Sequence, residues 1–210
     1  MTTLLNQRLS AAIAAMRAGI PVCMLDDHDR EDEADLVVAA ETLTRDVMAQ
    51  LIRAGGLVCL ALEDERLKQL DLPPMVPAND SLHGTAFTVS IDARHGVSTG
   101  ISAADRLATV RAAIAPNAKP ADLARPGHIF PLRAAPGGVL VRRGHTEGSV
   151  DLAKLAGLMP AAVIVELMDR DGEMLRSKAA KNFARRHGFP VITIAEIATH
   201  RGASERRAAE

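Results

Sequence analysis

Seven of the ten residues from Asp26 to Asp35, DDHDREDEAD, are acidic, and Arg30 is the only Lys or Arg among them. Carboxylates at that density repel one another. A divalent cation relieves the repulsion, because hard ions take carboxylate oxygens and keep several waters. A solvated acidic turn is the plainer reading of the same run. An EF-hand is a poor match, since the sixth position of a loop begun at Asp26 is Glu31, where the sharp turn needs Gly. A second cluster, Arg142-Arg143-Gly144-His145-Thr146-Glu147, suits an anion. Free N–H groups at a helix start, a glycine that admits a ligand to the backbone and a forked guanidinium all favour phosphate. His145 among them reads as a metal ligand, a proton carrier or a capping residue.

Two isolated groups join these clusters. His128 lies in RPGHIFPL, whose prolines and glycine fix the backbone as an active-site loop requires. Glu166 interrupts the apolar run AVIVELM, so its carboxylate is either exposed at a sheet edge or held for a purpose. Ser98, Thr99 and Ser102 offer hydroxyls to a sugar, or serve as ordinary loop and cap residues. Read together, the pieces point to a phosphorylated, polyhydroxylated substrate. Composition narrows the alternatives. A net charge of −1 and a pI near 6.7 give no general attraction for polyanions, and four Phe with no Tyr or Trp leave few platforms for stacking bases. Cys23 and Cys59 sit in apolar runs and cannot make a disulfide framework or a zinc cluster. The N-terminus lacks the basic flank of a secretory signal, and a reduced, cytoplasmic protein is expected.

The elements that must position these groups follow from periodicity. Leu5, Leu9, Ile13 and Met16 mark an amphipathic opening helix closed by Gly19 and Pro21. Strands are expected at 22–25, 36–40 and 57–62, with a helix between the last two that Thr44 caps and Gly55-Gly56 ends. The proline-rich stretch 70–84 reads as a long functional loop, and AFTVSID after it as a strand. Ser102 starts a helix through Ile114. Residues 116–138 read as irregular, 139–142 as a strand, and Thr146 as the cap of a helix ending near Gly157. Strand AVIVELM, turn DRDG, a helix, strand PVITI, a short helix and a frayed ten-residue tail complete the chain. The adjacent strands at 22–25 and 36–40 exclude a purely parallel sheet. The expected fold is α+β, a three-layer α/β/α arrangement around a mixed sheet in a single domain spanning 1–210.

Seven separated motifs, in order, resemble the 3,4-dihydroxy-2-butanone 4-phosphate synthase family of riboflavin biosynthesis: DDHDREDEADLVVAAE, ERLKQLDLPPMV, HGTAFTVSIDA, TGISAADRLATVRAAI, RPGHIFPLRA, GVLVRRGHTEGSVDLAKLAG and VELMDRDGEM. The resemblance implies a homodimeric lyase that converts D-ribulose 5-phosphate to formate and L-3,4-dihydroxybutan-2-one 4-phosphate with Mg²⁺ or Mn²⁺. It implies that Glu31 and His145 hold the metal, and that Arg30, Glu31, Asp35, Glu166 and the turn Arg142, Arg143, Gly144, His145 and Thr146 bind substrate, with Arg142 on the phosphate side. It makes His128 and Glu166 essential to catalysis. Asp29 and Asp35 are the expected bases, because formate loss begins with proton abstraction beside a carbonyl. No nucleic-acid or membrane partner is expected, nor is a fused GTP cyclohydrolase II domain.

The chain departs from the family pattern at several points. The loop usually reads DDEDRENEGD, whereas here His28, Asp32 and Ala34 intervene; RGGHTEA has become RRGHTEG, with Arg143 for Gly and Gly148 for Ala; and His83 stands where Tyr is usual. The substitutions at His28, Ala34 and Arg143 motivate one alternative to the lyase, a non-catalytic relative that binds a sugar phosphate or nucleotide and regulates a partner; a further alternative is a related enzyme acting on another pentose phosphate.

Overall fold

A strand buried on both faces has to be apolar throughout, whereas one carrying a site must break that rule at its end. The computed structural model, which describes residues 2–27 and 30–209, shows both cases. Its helices are α1 (Thr2–Ala18), α2 (Arg45–Ala54), α3 (Asp64–Gln69), α4 (Ala103–Ile114), α5 (His145–Leu155), α6 (Ser177–His187) and α7 (Ile194–Ala209). The strands are β1 (Val22–Leu25), β2 (Ala34–Ala39), β3 (Cys59–Leu62), β4 (Ile91–Ala93), β5 (Leu123–Arg133), β6 (Ala161–Glu166) and β7 (Val191–Thr193). They form one mixed sheet in the order β4-β5-β3-β6-β2-β1-β7. The β1–β2, β2–β6, β3–β6 and β4–β5 pairs are antiparallel, and β3–β5 and β1–β7 are parallel.

Period-two alternation sorts the strand residues between two cores. Leu36, Val38, Leu60, Leu62, Val163 and Val165 pack on one face with Met48 and Leu51 of α2, Val110 of α4 and Ala184 of α6. Met24, Val37, Cys59, Ala162 and Ile164 pack on the other with Met16 of α1, Leu152 of α5 and Ile197 of α7. The sheet is therefore the middle of three layers, as expected. Each fully buried Leu or Ile contributes about 1.5–3 kcal/mol by leaving water. Asp35 and Glu166 fall on the second face by alternation and sit directly opposite each other in the β2–β6 register. Since β6 is the central strand, Glu166 is not at a sheet edge, and the edge reading of that carboxylate is excluded.

Several local expectations are corrected. Residues 123–133, read as irregular, form the longest strand. Its prolines are tolerated because the strand bulges against β4, where Ile91 pairs with Ile129 but the next residue, Asp92, pairs with Ala124. A Cβ on Gly127 would meet the backbone of Ile91 at 2.0 Å, so that bulge requires glycine. Residues 139–142 are not a strand. Gly137 and Gly138 take φ of +94° and +63°, and a single 3₁₀ turn (Gly138–Leu140) follows. Helix α5 starts at His145 behind Gly144, not at a Thr146 cap. Of AFTVSID only Ile91 and Asp92 join the sheet, in β4 with Ala93, while Phe87 and Thr88 form isolated bridges. The short helix α3 adds an element that the sequence reading lacks.

Candidate active site

The start of β2, the end of β6 and the start of α5 enclose a cavity of about 400 Å³, within the range of small-molecule sites. Arg30, Glu31, Asp35, Arg142, His145, Thr146 and Glu166 line it, so most of the residues expected to bind substrate or metal come together. Asp29 lies outside the described residues. Arg143 and His128 are not in the lining. Arg143 turns to Asp27, 3.4 Å away. His128 sits on the β5 bulge, where Asp92 accepts its backbone N–H at 3.0 Å and lies 2.8 Å from its Nδ1. Gly144 adjoins the cavity as the residue before α5.

Asp35 is 3% exposed and faces Glu166 across the strand pair. Burial, and then the negative charges of Glu166 and Glu33, push its carboxyl well above the usual carboxylate range. Burial also raises Glu33, with Glu31 adding to the effect. Glu166 is anchored by one oxygen, Oε2, which accepts the Leu57 N–H at 3.0 Å. Gly56 makes that approach possible, because a Cβ there would lie 2.0 Å from the same oxygen. The Gly-Gly pair that ends α2 thus also seats a site carboxylate.

His145 is 6% exposed, and burial lowers its pKa below the ordinary histidine value. Its Nε2 is 3.3 Å from the carbonyl oxygen of Met24. A carbonyl can only accept, so Nε2 carries the proton and the neutral ring keeps its lone pair on Nδ1. That atom lies 3.7 Å from Asp35 Oδ1, a buried oxygen with no hydrogen-bond partner among the described residues. Two acceptors facing each other at this distance call for a proton or a cation between them. Close by, single ligand atoms of Asp26, Glu31 and His145 all lie within 4.8 Å of one another. Carboxylate oxygens and an imidazole suit Mg²⁺ or Mn²⁺. The donor set therefore fits a divalent ion.

The acidic loop is internally organised. Asp26 Oδ2 accepts from Arg30 Nη1 at 2.7 Å and from the Glu31 N–H at 3.2 Å, and Arg30 Nη2 lies 2.9 Å from Glu31. Sequence reasoning assigned no role to Asp26, Glu33, Cys59, His83 or Arg176, yet Asp26 joins the ligand group and the other four line the cavity. Asp26 and Glu33 were visible as members of the acidic run. Cys59 and Arg176 carried no local signal, since the first reads as core and the second lies between the DRDG turn and a helix.

The family model for 3,4-dihydroxy-2-butanone 4-phosphate synthase matches residues 10–200. The curated 3,4-dihydroxy-2-butanone 4-phosphate synthase of Shewanella pealeana is 59% identical over 196 residues, 93% of this chain and 92% of that protein. The Cronobacter sakazakii protein of the same name is 57% identical over 203 residues, 96% of this chain and 94% of its own length. Among solved structures, a 3,4-dihydroxy-2-butanone 4-phosphate synthase in complex with two magnesium ions superposes with a TM-score of 0.89 at 46% identity, covering 94% of this chain and 97% of that one. A cation-free form gives 0.86 at 45% identity, covering 94% and 98%. No helix among the described residues is long and apolar enough to cross a membrane. With its mixed seven-stranded sheet and its cavity of carboxylates, arginines and a buried histidine, the chain belongs to the 3,4-dihydroxy-2-butanone 4-phosphate synthase family, enzymes of riboflavin biosynthesis.

Proposed function

We propose that the chain is a divalent-metal-dependent lyase that releases formate from D-ribulose 5-phosphate and leaves L-3,4-dihydroxybutan-2-one 4-phosphate. The observation that carries this reading is the meeting of Glu31, Asp35, His145 and Glu166 in one cavity with Arg142. Arg142 and the first N–H groups of α5 take the phosphate end. Asp35, held protonated more readily than an ordinary carboxyl, and Glu166, fixed through Leu57, handle protons at the carbon skeleton. Glu31 and His145 would hold Mg²⁺ or Mn²⁺, with Asp26 beside them, and the ion would supply positive charge to adjacent substrate oxygens. Asp29 is the further base assigned by this reading.

His128 belongs to the catalytic set, yet it lies outside the cavity lining of its own protomer. The homodimer is therefore part of the proposal. Leu57, Leu82 and Ile101 are large apolar side chains left exposed in one protomer, which supports burial against a second copy. Cytoplasmic residence goes with the same reading and is supported by two buried free cysteines. The test is formate release from ribulose 5-phosphate with and without chelator. Activity is expected to vanish with chelator and in Glu31→Ala and His145→Ala; undiminished turnover in chelator would refute the proposal.

A further inference from the structure

Arg142 is held in place by the protein itself. Its Nη1 donates to Glu147 Oε2 at 2.7 Å, and its Nη2 donates to the carbonyl of His83 at 3.1 Å. Glu147 is the third residue of α5 and is 1% exposed. Its other oxygen, Oε1, accepts the Ala135 N–H at 3.0 Å. A carboxylate buried to this degree needs a compensating charge, and the Arg142 guanidinium supplies it. Gly144 lies directly beneath the pair. A Cβ there would sit 2.1 Å from Arg142 Nη1 and 2.8 Å from Glu147 Oε2. Gly144 has an ordinary extended φ of −113°, so it is space and not backbone conformation that demands glycine. A guanidinium has five N–H donors. Two are used in these bonds, the remaining three have no hydrogen-bond partner among the described residues, and Arg142 lines the cavity.

We propose that Glu147 is the positioning residue for Arg142. It fixes the guanidinium so that the free part of the fork forms a ready seat for the phosphate end of a sugar phosphate, and Gly144 leaves room for the pair. A long side chain that a ligand would otherwise have to order is ordered in advance, which is how preorganisation raises affinity. The inference rests on the reading of Arg142 as the phosphate contact, and it does not depend on the formate chemistry.

The experiment compares wild type, Glu147→Gln, Arg142→Gln and the double variant. Inorganic phosphate is the calorimetric probe, and KM and kcat for ribulose 5-phosphate are read alongside. In Glu147→Gln the phosphate Kd and KM are each expected to rise about tenfold, the size of a strong pairwise coupling, with kcat changed less than KM. The double variant is expected to bind phosphate no more weakly than Arg142→Gln alone, because Glu147 acts through Arg142. An unchanged Kd and KM in folded Glu147→Gln, or effects that add in full, would overturn the proposal. Should Glu147→Gln not fold, Gly144→Ala carries the same expectation, since it displaces Arg142 and leaves the carboxylate intact. Phosphate binding that depends on Glu147 in a protein that releases no formate would sink the lyase reading and leave this inference standing.

Discussion

Asp35→Asn should make the protein more stable and less active. In the folded protein the Asp35 carboxyl is buried opposite Glu166, and one oxygen lacks a partner. Directly opposed side chains on antiparallel strands lie about 5 Å apart, and at an effective dielectric near 20 two unit charges there repel by about 3 kcal/mol. Asparagine removes that repulsion and keeps the shape. Allowing for the cost of burying an amide, the metal-free variant should gain about 2 kcal/mol, which for a domain of this size is about 4–8 °C in Tm. The pH dependence has a definite sign. The folded carboxyl titrates above its unfolded value of 3.8, so the native state binds the extra proton between those two values. Wild-type stability therefore falls as pH rises through that window, whereas the variant lacks this loss. The opposite linkage of His145, whose lowered pKa costs stability as pH drops below 6.5, is present in both proteins. Thermal melts in chelator at pH 4 and pH 8 decide the matter. The gap should be small at pH 4 and wide at pH 8; a variant less stable than wild type at pH 8, or a gap that does not widen, would refute the reasoning.

Two further outcomes test other parts of the account. On the reading of a dimeric lyase with a site shared between protomers, mixing Glu31→Ala with His128→Ala, each inactive alone, should restore about a quarter of wild-type formate release after subunit exchange, because half the dimers would be mixed and each would hold one intact site; no recovery would place His128 and Glu31 in the same protomer's site. Burial pushes the Cys23 thiol up to about 12 and raises Cys59 as well, so neither should react with iodoacetamide at pH 8 until denaturant is added, as counted by mass spectrometry.

What the sequence disclosed depended on how local each signal was. The apolar runs of β2 and β6 read as strands by themselves, and Glu166 stood out as a carboxylate within the second, before any pairing was known; Asp35 was visible only as a member of the acidic run. The acidic run and the Arg-Gly-His turn were likewise legible as chemistry, and they meet at the cavity. Strand β5 was hidden because Pro126, Gly127 and Pro131 have the local signature of a loop. Its extended state depends on pairing with Cys59–Leu62, more than sixty residues away. The reverse error at 139–142 came from the β-favouring letters VLV. There the two glycines and the bond from the Val139 N–H to Asp151 prevail. The pairing of Glu147 with Arg142 could not be read at all, because their closeness requires both the start of α5 and the bend at Gly144.

The charge balance of the cavity bears on how substrate enters. Four carboxylates, those of Glu31, Glu33, Asp35 and Glu166, line it against the guanidiniums of Arg30, Arg142 and Arg176. Arg30 is already engaged by Asp26 and Glu31, and Arg142 is balanced by Glu147. Even with Asp35 protonated, Glu31, Glu33 and Glu166 together with the engaged Asp26 and Glu147 outnumber the three guanidiniums, so the wall that must receive the hydroxyl and carbonyl oxygens is net negative, and a sugar phosphate is itself an anion. Like charges in a partly enclosed site oppose binding, and screening by salt reaches buried pairs poorly. On the lyase reading, positive charge held by Glu31 and His145 corrects this balance before it takes part in any chemistry. Calorimetric binding of ribulose 5-phosphate should accordingly be at least tenfold weaker in chelator than in Mg²⁺, an effect that Glu31→Gln should reduce by removing one of the opposing charges. Equal affinity with and without the ion would mean that the carboxylates are already neutralised by protons, and the ion's part would then be confined to steps after binding.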